Sequence, residues 1–130
     1  DGAQMLSDLG ERQIRSRLTT FRRASGHDPL IATLRSTAPL QPSEFAFGLF
    51  ERWRVGGEGK EGILILAALE EMRLECVLGS ALTPLIPPEH IEALFARHAS
   101  PHMRRRSFDV GLFNALDMVL RVFEHAEGLR

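Results

Sequence analysis

The sequence has 130 residues, of which 44% are hydrophobic and 25% are charged. These fractions are those of an ordinary globular protein and exclude disordered and fibrous chains, while the length suits one domain with a single core. The formal net charge of -1 gives no overall attraction to nucleic acid or to anionic membranes, so we expect no nucleic-acid partner.

The first predicted elements are an amphipathic helix and a short strand. Between Ser7 and Ala24 the apolar residues recur at helical spacing, and Ser7 offers an N-cap. Gly26 follows the last turn as a C-terminal stop. The apolar run Pro29–Leu34 is bounded by polar residues, which predicts a buried strand.

A second helix is predicted near Ser43, and it carries a group of large aromatic residues. Because such residues dominate apolar burial, we expect all of them to lie in the core. A glycine-rich loop from Gly56 to Gly62 follows this helix and enters a strand. A phosphate-binding loop needs the reverse order, so a nucleotide site is not predicted. The aromatic residues are Phe45, Phe47, Phe50 and Trp53.

The next two runs predict a β-hairpin. Residues 63 to 69 are apolar at every position, which is typical of a central strand with cover on both faces. The run from Met72 to Leu78 alternates and follows an acidic turn at Glu70 and Glu71. Cys76 falls on the apolar side, and we expect a buried, unreactive thiol. It is the only cysteine, so an internal disulfide is excluded.

Two more helices are predicted beyond the hairpin. Pro88 suits the first turn of a short third helix, which Pro101 should end, and residues 108 to 126 form the last helix. A basic run precedes that helix and can engage a phosphate, a carboxylate or an anionic lipid head group, or can form a solvated turn only. The run consists of Arg104, Arg105 and Arg106.

No motif in the sequence demands an enzyme. There is no nucleophile elbow, and the histidine spacing does not suit zinc. No segment reaches the roughly 20 apolar residues of a membrane span, and none has the pattern of a signal peptide. The sequence begins at Asp1 rather than Met, so we expect residues 1 to 130 to be one domain excised from a longer protein.

Four segments together carry a family resemblance. The start Asp1-x-Ala3-x-x-Leu6-Ser7 is followed by FGLFERWRVG from residue 47, GKEGILILAALEEMRLECVLGSAL from residue 59 and PHMRRRSFDVGLFNAL from residue 101. In this order they resemble the TPM domain family. The resemblance implies a mixed sheet sandwiched by helices, in agreement with the periodicity. We therefore predict an α/β fold: a three-layer sandwich with a small mixed β-sheet of about four strands and helices on both faces.

The resemblance also implies a location and a site. Members are typically extracytoplasmic and membrane-tethered, some bind calcium or similar ions, and plant members are acid phosphatases. These activities depend on acidic loop residues. Here Lys60 and Glu61 stand where the family has Asp-Asn, and Ile86-Pro87-Pro88 replaces a segment with another carboxylate. The remaining candidate metal ligands are Asp1, Glu61 and Asp109, which predicts a degenerate site with weak calcium or magnesium binding at most.

We therefore expect a non-catalytic interaction domain of a membrane-associated protein, without a cofactor. Its place is extracytoplasmic, periplasmic or at the cell surface, tethered by segments outside this sequence, and its partner is a protein at or near a membrane. One alternative is a divalent-metal-dependent acid phosphatase that uses the three acids. The other is a structural module that dimerises. The expected partner contacts are Lys60, Glu61, Arg104, Arg105 and Arg106.

Overall fold

The computed structural model of the protein describes residues 5–53 and 62–128. These residues form two compact units. The strand unit comprises Met5 with residues 28–53 and 62–83, and the helical unit comprises residues 6–27 and 84–128. The Gly56 to Gly62 loop, apart from Gly62 itself, lies outside the described residues.

The strand unit contains a three-stranded mixed sheet in the order β1-β2-β3. β1 and β2 are parallel, with Pro29 opposite Ile63, and β2 and β3 are antiparallel, with Ile63 opposite Leu78. All six residues of β2 are 0% exposed, which confirms the predicted central strand. The strands are β1 (Pro29–Leu34), β2 (Ile63–Ala68) and β3 (Arg73–Leu78).

The prediction of about four strands is wrong, because residues 5–53 and 62–128 contain three. After β3 the chain turns at Gly79, whose carbonyl accepts hydrogen bonds from the backbone N–H groups of Leu82 and Thr83. A short 3₁₀ helix, Thr83–Leu85, follows. The next stretch contains several prolines, which lack the N–H that a strand ladder needs. The α/β class itself is confirmed.

Helix α2 (Pro42–Trp53) packs on the sheet. Phe50 and Ala46 are buried with β-strand residues in one apolar cluster, as predicted for Phe50. Phe47 and Trp53 are 57% and 51% exposed, so the prediction that all four aromatics are core is wrong for these two. Phe47 follows Ala46 directly, and successive helical residues are rotated by about 100°, which turns it away from the buried face. Trp53 is the last residue of the helix.

The helical unit is built around one long helix. Helix α5 packs against each of the other three, and most of its apolar side chains are completely buried. The unit contains α1 (Asp8–Ser25), α3 (Pro88–His98), α4 (Ser100–Arg104) and α5 (Phe108–Ala126). No helix in the described part of the chain has both the length and the apolar character needed to cross a membrane.

Capping explains where these helices begin and end. The Ser7 hydroxyl accepts a hydrogen bond from the Gly10 N–H and caps α1, as predicted. Gly26 has a φ of 78° and donates its N–H to the Arg22 carbonyl, which ends α1. Helix α4 was not expected, because Pro101 suggested a helix end. Pro101 instead lies in the first turn of α4, where a missing N–H costs little.

Candidate functional site

The predicted basic run lies on the turn between α4 and α5. Arg104 is the last residue of α4, and the N–H groups of Arg105 and Arg106 donate to the carbonyls of His102 and Met103. Arg106 has a φ of 66°, in the left-handed region. This conformation reverses the chain, so that α5 begins two residues later. The turn is therefore held by backbone hydrogen bonds, and its three side chains are free to point outward.

All three arginines are exposed. Within residues 5–53 and 62–128, none of them forms an ion pair. The Arg106 guanidinium lies over the Phe108 ring, 5.8 Å from its centroid, which orients the side chain while leaving its charge available. The turn thus presents three successive positive charges. Guanidinium groups bind carboxylates and phosphates in a planar, bidentate way, so this surface suits an acidic partner.

Asp109, the third predicted metal candidate, holds the start of α1. Its Oδ1 accepts a hydrogen bond from the Ser7 N–H at 3.0 Å, and its Oδ2 accepts one from the Ser7 hydroxyl at 2.5 Å. The same hydroxyl accepts from the Gly10 N–H at 3.0 Å. These bonds tie the first turn of α5 to the first turn of α1. Asp109 therefore has a structural role that explains its presence without a metal ion.

The described residues contain no cluster of acidic, histidine or cysteine side chains for a divalent cation. Calcium needs six to eight oxygen ligands and magnesium near-octahedral coordination, so a site requires several carboxylates together. Within residues 5–53 and 62–128, no three or more His, Cys, Asp or Glu side chains lie close enough together to hold one metal ion. The Ser7 donors also point at both oxygens of Asp109. Asp1, Lys60 and Glu61, the other predicted site residues, lie outside the described residues.

An ion-pair network between α1 and α5 was missed in the sequence. Arg17 donates to Asp117 at 2.8 Å and to Glu124 at 2.7 and 3.0 Å, and Arg121 donates to the other Asp117 oxygen at 2.8 Å. The Arg17, Asp117 and Glu124 side chains are 11%, 11% and 6% exposed. The only sign of this network in the sequence is that two acidic residues, Asp117 and Glu124, lie seven positions apart on the apolar face of the predicted last helix.

The network shifts the pKa values of Arg17 and Asp117. Burial alone would lower the pKa of Arg17, but the hydrogen bonds to Glu124 and Asp117 outweigh it and raise that pKa. Burial alone would raise the pKa of Asp117, but the hydrogen bonds from Arg17 and Arg121 outweigh it and lower that pKa. Both groups therefore stay charged at neutral pH, and their charges compensate each other.

A groove of about 770 Å³ lies over this network, between α1 and α5. Arg12 and Thr20 line it from α1, and Val110 and Phe113 line it from α5. Arg17 also lines it, fixed by the ion pairs described above. The groove combines apolar walls with an exposed guanidinium at its edge.

A second polar cluster lies in the strand unit, just beyond the carboxyl ends of β1 and β2. The Glu71 Oε2 atom accepts hydrogen bonds from the Ser36 hydroxyl at 2.7 Å, the Thr37 N–H at 3.0 Å and the Thr37 hydroxyl at 3.2 Å. The bond from Ser36 is the main reason why the pKa of Glu71 is lowered. Glu71 thus ties the loop after β1 to the β2–β3 turn.

The sequence matches the family model of the TPM domain over residues 1–122, which confirms the resemblance drawn from the four segments. Among curated proteins, none matches the sequence. The match covers the helices and strands of both units except the last four residues of α5, residues 123–126.

Several solved structures have the same fold, and three of them come from different organisms. The N-terminal domain of a protein from P. gingivalis superposes with a TM-score of 0.87 at 23% identity, covering 95% of this chain and 80% of that one. The BA42 protein of Bizionia argentinensis gives 0.77 at 12% identity, with 92% and 82% covered. The N-terminal domain of the cg2496 protein of Corynebacterium glutamicum gives 0.67 at 12% identity, with 89% and 72% covered. At these identities the likeness shows the fold alone.

Proposed function

The chain belongs to the TPM domain family, and from this premise we propose that it is a non-catalytic interaction domain. It binds a protein partner at or near a membrane, outside the cytoplasm. The observation that carries the proposal is the α4–α5 turn, where Arg104, Arg105 and Arg106 are exposed and form no ion pair within the described residues. The partner presents carboxylates to this turn.

The use of Asp109 supports binding rather than catalysis. A metal-dependent phosphatase needs several carboxylates that are free to hold a cation near the phosphate. Asp109 instead accepts two hydrogen bonds from Ser7, the residue that caps α1. Lys60 places a cation where the family has a carboxylate, which also weakens a metal site. A degenerate site of this kind leaves surface recognition as the function.

The test is capture of a partner from detergent-solubilised membranes of the source organism, read out by quantitative mass spectrometry. We expect the triple variant Arg104→Glu, Arg105→Glu, Arg106→Glu to reduce capture of the specific partner at least tenfold, because each reversed charge repels an acidic surface. The matched control reverses three exposed arginines elsewhere in the helical unit and has the same net charge. These are Arg15, Arg23 and Arg97.

Equal capture by both triple variants would show that net charge, not the turn, determines binding, and would reject the proposal. A phosphomonoester assay with calcium or magnesium tests the rival enzyme. Turnover that is abolished by Glu61→Ala would establish a phosphatase instead. Light scattering tests the third alternative, since a stable dimer without a partner would indicate a dimerisation module.

A further inference from the structure

We propose that the groove between α1 and α5 binds an amphipathic helix of a protein partner, with the acidic residues of that helix at the end where α1 and α5 begin. The inference rests on the proposed interaction role but concerns a second surface, separate from the arginine turn. The groove has a volume of about 770 Å³ and is lined by side chains of both helices.

The two walls of the groove are parallel helices fixed at three levels. Asp109 binds Ser7 where both helices begin, Arg17 binds Glu124 further along, and His27 approaches Glu127 at 2.6 Å where both helices end. Helix α1 has 18 residues and α5 has 19. At 1.5 Å per residue each wall is about 27 Å long. A preformed channel between two long helices is the geometry that receives a third helix.

The α5 wall offers apolar contacts to such a helix. Val110 is 46% exposed, although it lies on the helix that carries the core of the unit. Phe113 is half-buried and lines the groove one turn further along. These two residues are three apart, so they form one ridge on the helix surface. The apolar stripe of a partner helix, repeating at three and four residues, packs against this ridge.

At the end of the groove where the two helices begin, the exposed charged residue in the lining is Arg12. Arg12 lines the groove in the second turn of α1, is exposed and forms no ion pair in the described part of the chain. Val110, at the same end, is only four residues after Arg106. The Asp109 carboxylate lies there too, but it is turned to Ser7. Toward the other end, Glu124 and Glu127 are occupied by Arg17 and His27. A partner with acidic residues at one end complements this pattern.

A small polar ligand is less well matched to the same groove. Small-molecule sites use a few convergent polar groups to fix the ligand. Here two of the polar residues that line the groove are already engaged within the protein: Arg17 is paired with two carboxylates, and the Asn114 amide donates to the His98 carbonyl at 2.8 Å. A helix needs only the apolar ridge and the exposed guanidinium of Arg12, both of which are available.

The experiment uses a phage-displayed library of 18-residue helices as the probe. An apolar stripe is fixed at positions repeating every three and four residues, and the other positions vary among Glu, Lys and Gln. We expect the whole 130-residue domain to enrich helices with Glu clustered at one end. Binding of the best peptide should fall at least tenfold with Val110→Asp and with Arg12→Glu. Arg15→Glu, an exposed change on α1 outside the groove lining, should alter it less than twofold.

Several results would overturn the inference: no enriched helix, enrichment without a Glu bias, or equal losses with Arg12→Glu and Arg15→Glu. A dimer in light scattering that Val110→Asp converts to a monomer would assign the groove to a second copy instead. Circular dichroism melts of each variant show that the fold is retained. The arginine-turn triple variant, run beside these, separates the two proposals, because it should lose the captured partner while Val110→Asp specifically loses the helical probe.

Discussion

At the scale of single residues, Asp109 shows what sequence spacing cannot reveal. Its carboxylate near the start of the last helix favoured a metal-ligand interpretation, because acids in loops of this family hold cations. The partner that explains it, Ser7, is 102 residues away. A Cβ at Gly10 would collide with the Asp109 carboxylate, so Gly10 allows this close approach. Nothing in the sequence distinguishes Ser7 or Asp109, and only the fold brings these two residues together.

Glu71 provides a pH-dependent prediction at the same scale. Its pKa is lowered in the folded state, chiefly by the Ser36 hydrogen bond, so its contribution to stability is complete above the ordinary Glu pKa of about 4.3. The contribution is lost as the pH falls through the lower folded-state value. We therefore expect Glu71→Gln to reduce the urea midpoint at pH 7 and to reduce it much less at pH 3.

The matched control for Glu71 is its neighbour Glu70, which is exposed in the same turn. Glu70→Gln should change the midpoint little at either pH. The explanation fails if Glu71→Gln lowers the urea midpoint by the same amount at pH 7 and pH 3, since the loss of stability would then not depend on the carboxylate charge.

At the scale of elements, the helices and strands were largely predictable because their signals are local. The strand at Pro29–Leu34 and the helix at Phe108–Ala126 have the predicted bounds, since apolar periodicity and capping residues define them within a few turns. The missing fourth strand and the short helix α4 were not predictable. Both depend on how a proline-containing segment is used, and Pro101 is equally compatible with a helix end and a helix start.

The network that joins α1 to α5 gives the prediction at this scale. Arg17→Ala should lower the free energy of unfolding by about 3 kcal/mol, because it leaves the buried carboxylates of Glu124 and Asp117 without their main partner. Arg15→Ala, on the exposed side of the same helix, should change it by less than about 0.5 kcal/mol. Urea titrations at pH 7 measure both. Equal effects of the two variants would mean that the network is energetically neutral.

At the scale of the whole molecule, family membership was predictable although no single motif carries it. Four ordinary segments in the right order predicted the TPM domain, and the family model covers residues 1–122. The contact surfaces were less predictable. The arginine run can be recognised directly in the sequence. The α1–α5 groove cannot, because it is formed by two helices about one hundred residues apart, and no local pattern indicates that Arg12 and Val110 line the same groove.

Cys76, the only cysteine in the sequence, can serve as a chemical probe of global unfolding. Cys76 is half-buried, not fully buried as predicted, yet desolvation of its thiol, and to a lesser degree the charge of Glu75, raise the pKa of Cys76 to about 12. An unfolded thiol has a pKa of about 8.5, so the thiolate fraction at pH 8 is lower in the folded chain by a factor on the order of 1,000. We expect Ellman's reagent to label the native protein at least 100-fold more slowly than the urea-unfolded chain.

The control for Cys76 moves the thiol to a nearby exposed position, with Cys76→Ser combined with Ser80→Cys. This variant should label rapidly while folded. Fast labelling of native Cys76 would contradict the low reactivity expected from its raised pKa, and slow labelling would allow the reaction rate to report global unfolding.

The side-by-side start of α1 and α5 has an electrostatic consequence. Each helix has a macrodipole equivalent to about half a positive charge at its amino end, and two parallel helices add these charges at one place. Asp109 lies between the two ends, bonded to Ser7, and acts as their shared counterion. Without it, the aligned dipoles would reinforce the neighbouring arginines and attract any anion. Asp109 thus reduces the non-specific attraction of anions to the amino ends of α1 and α5.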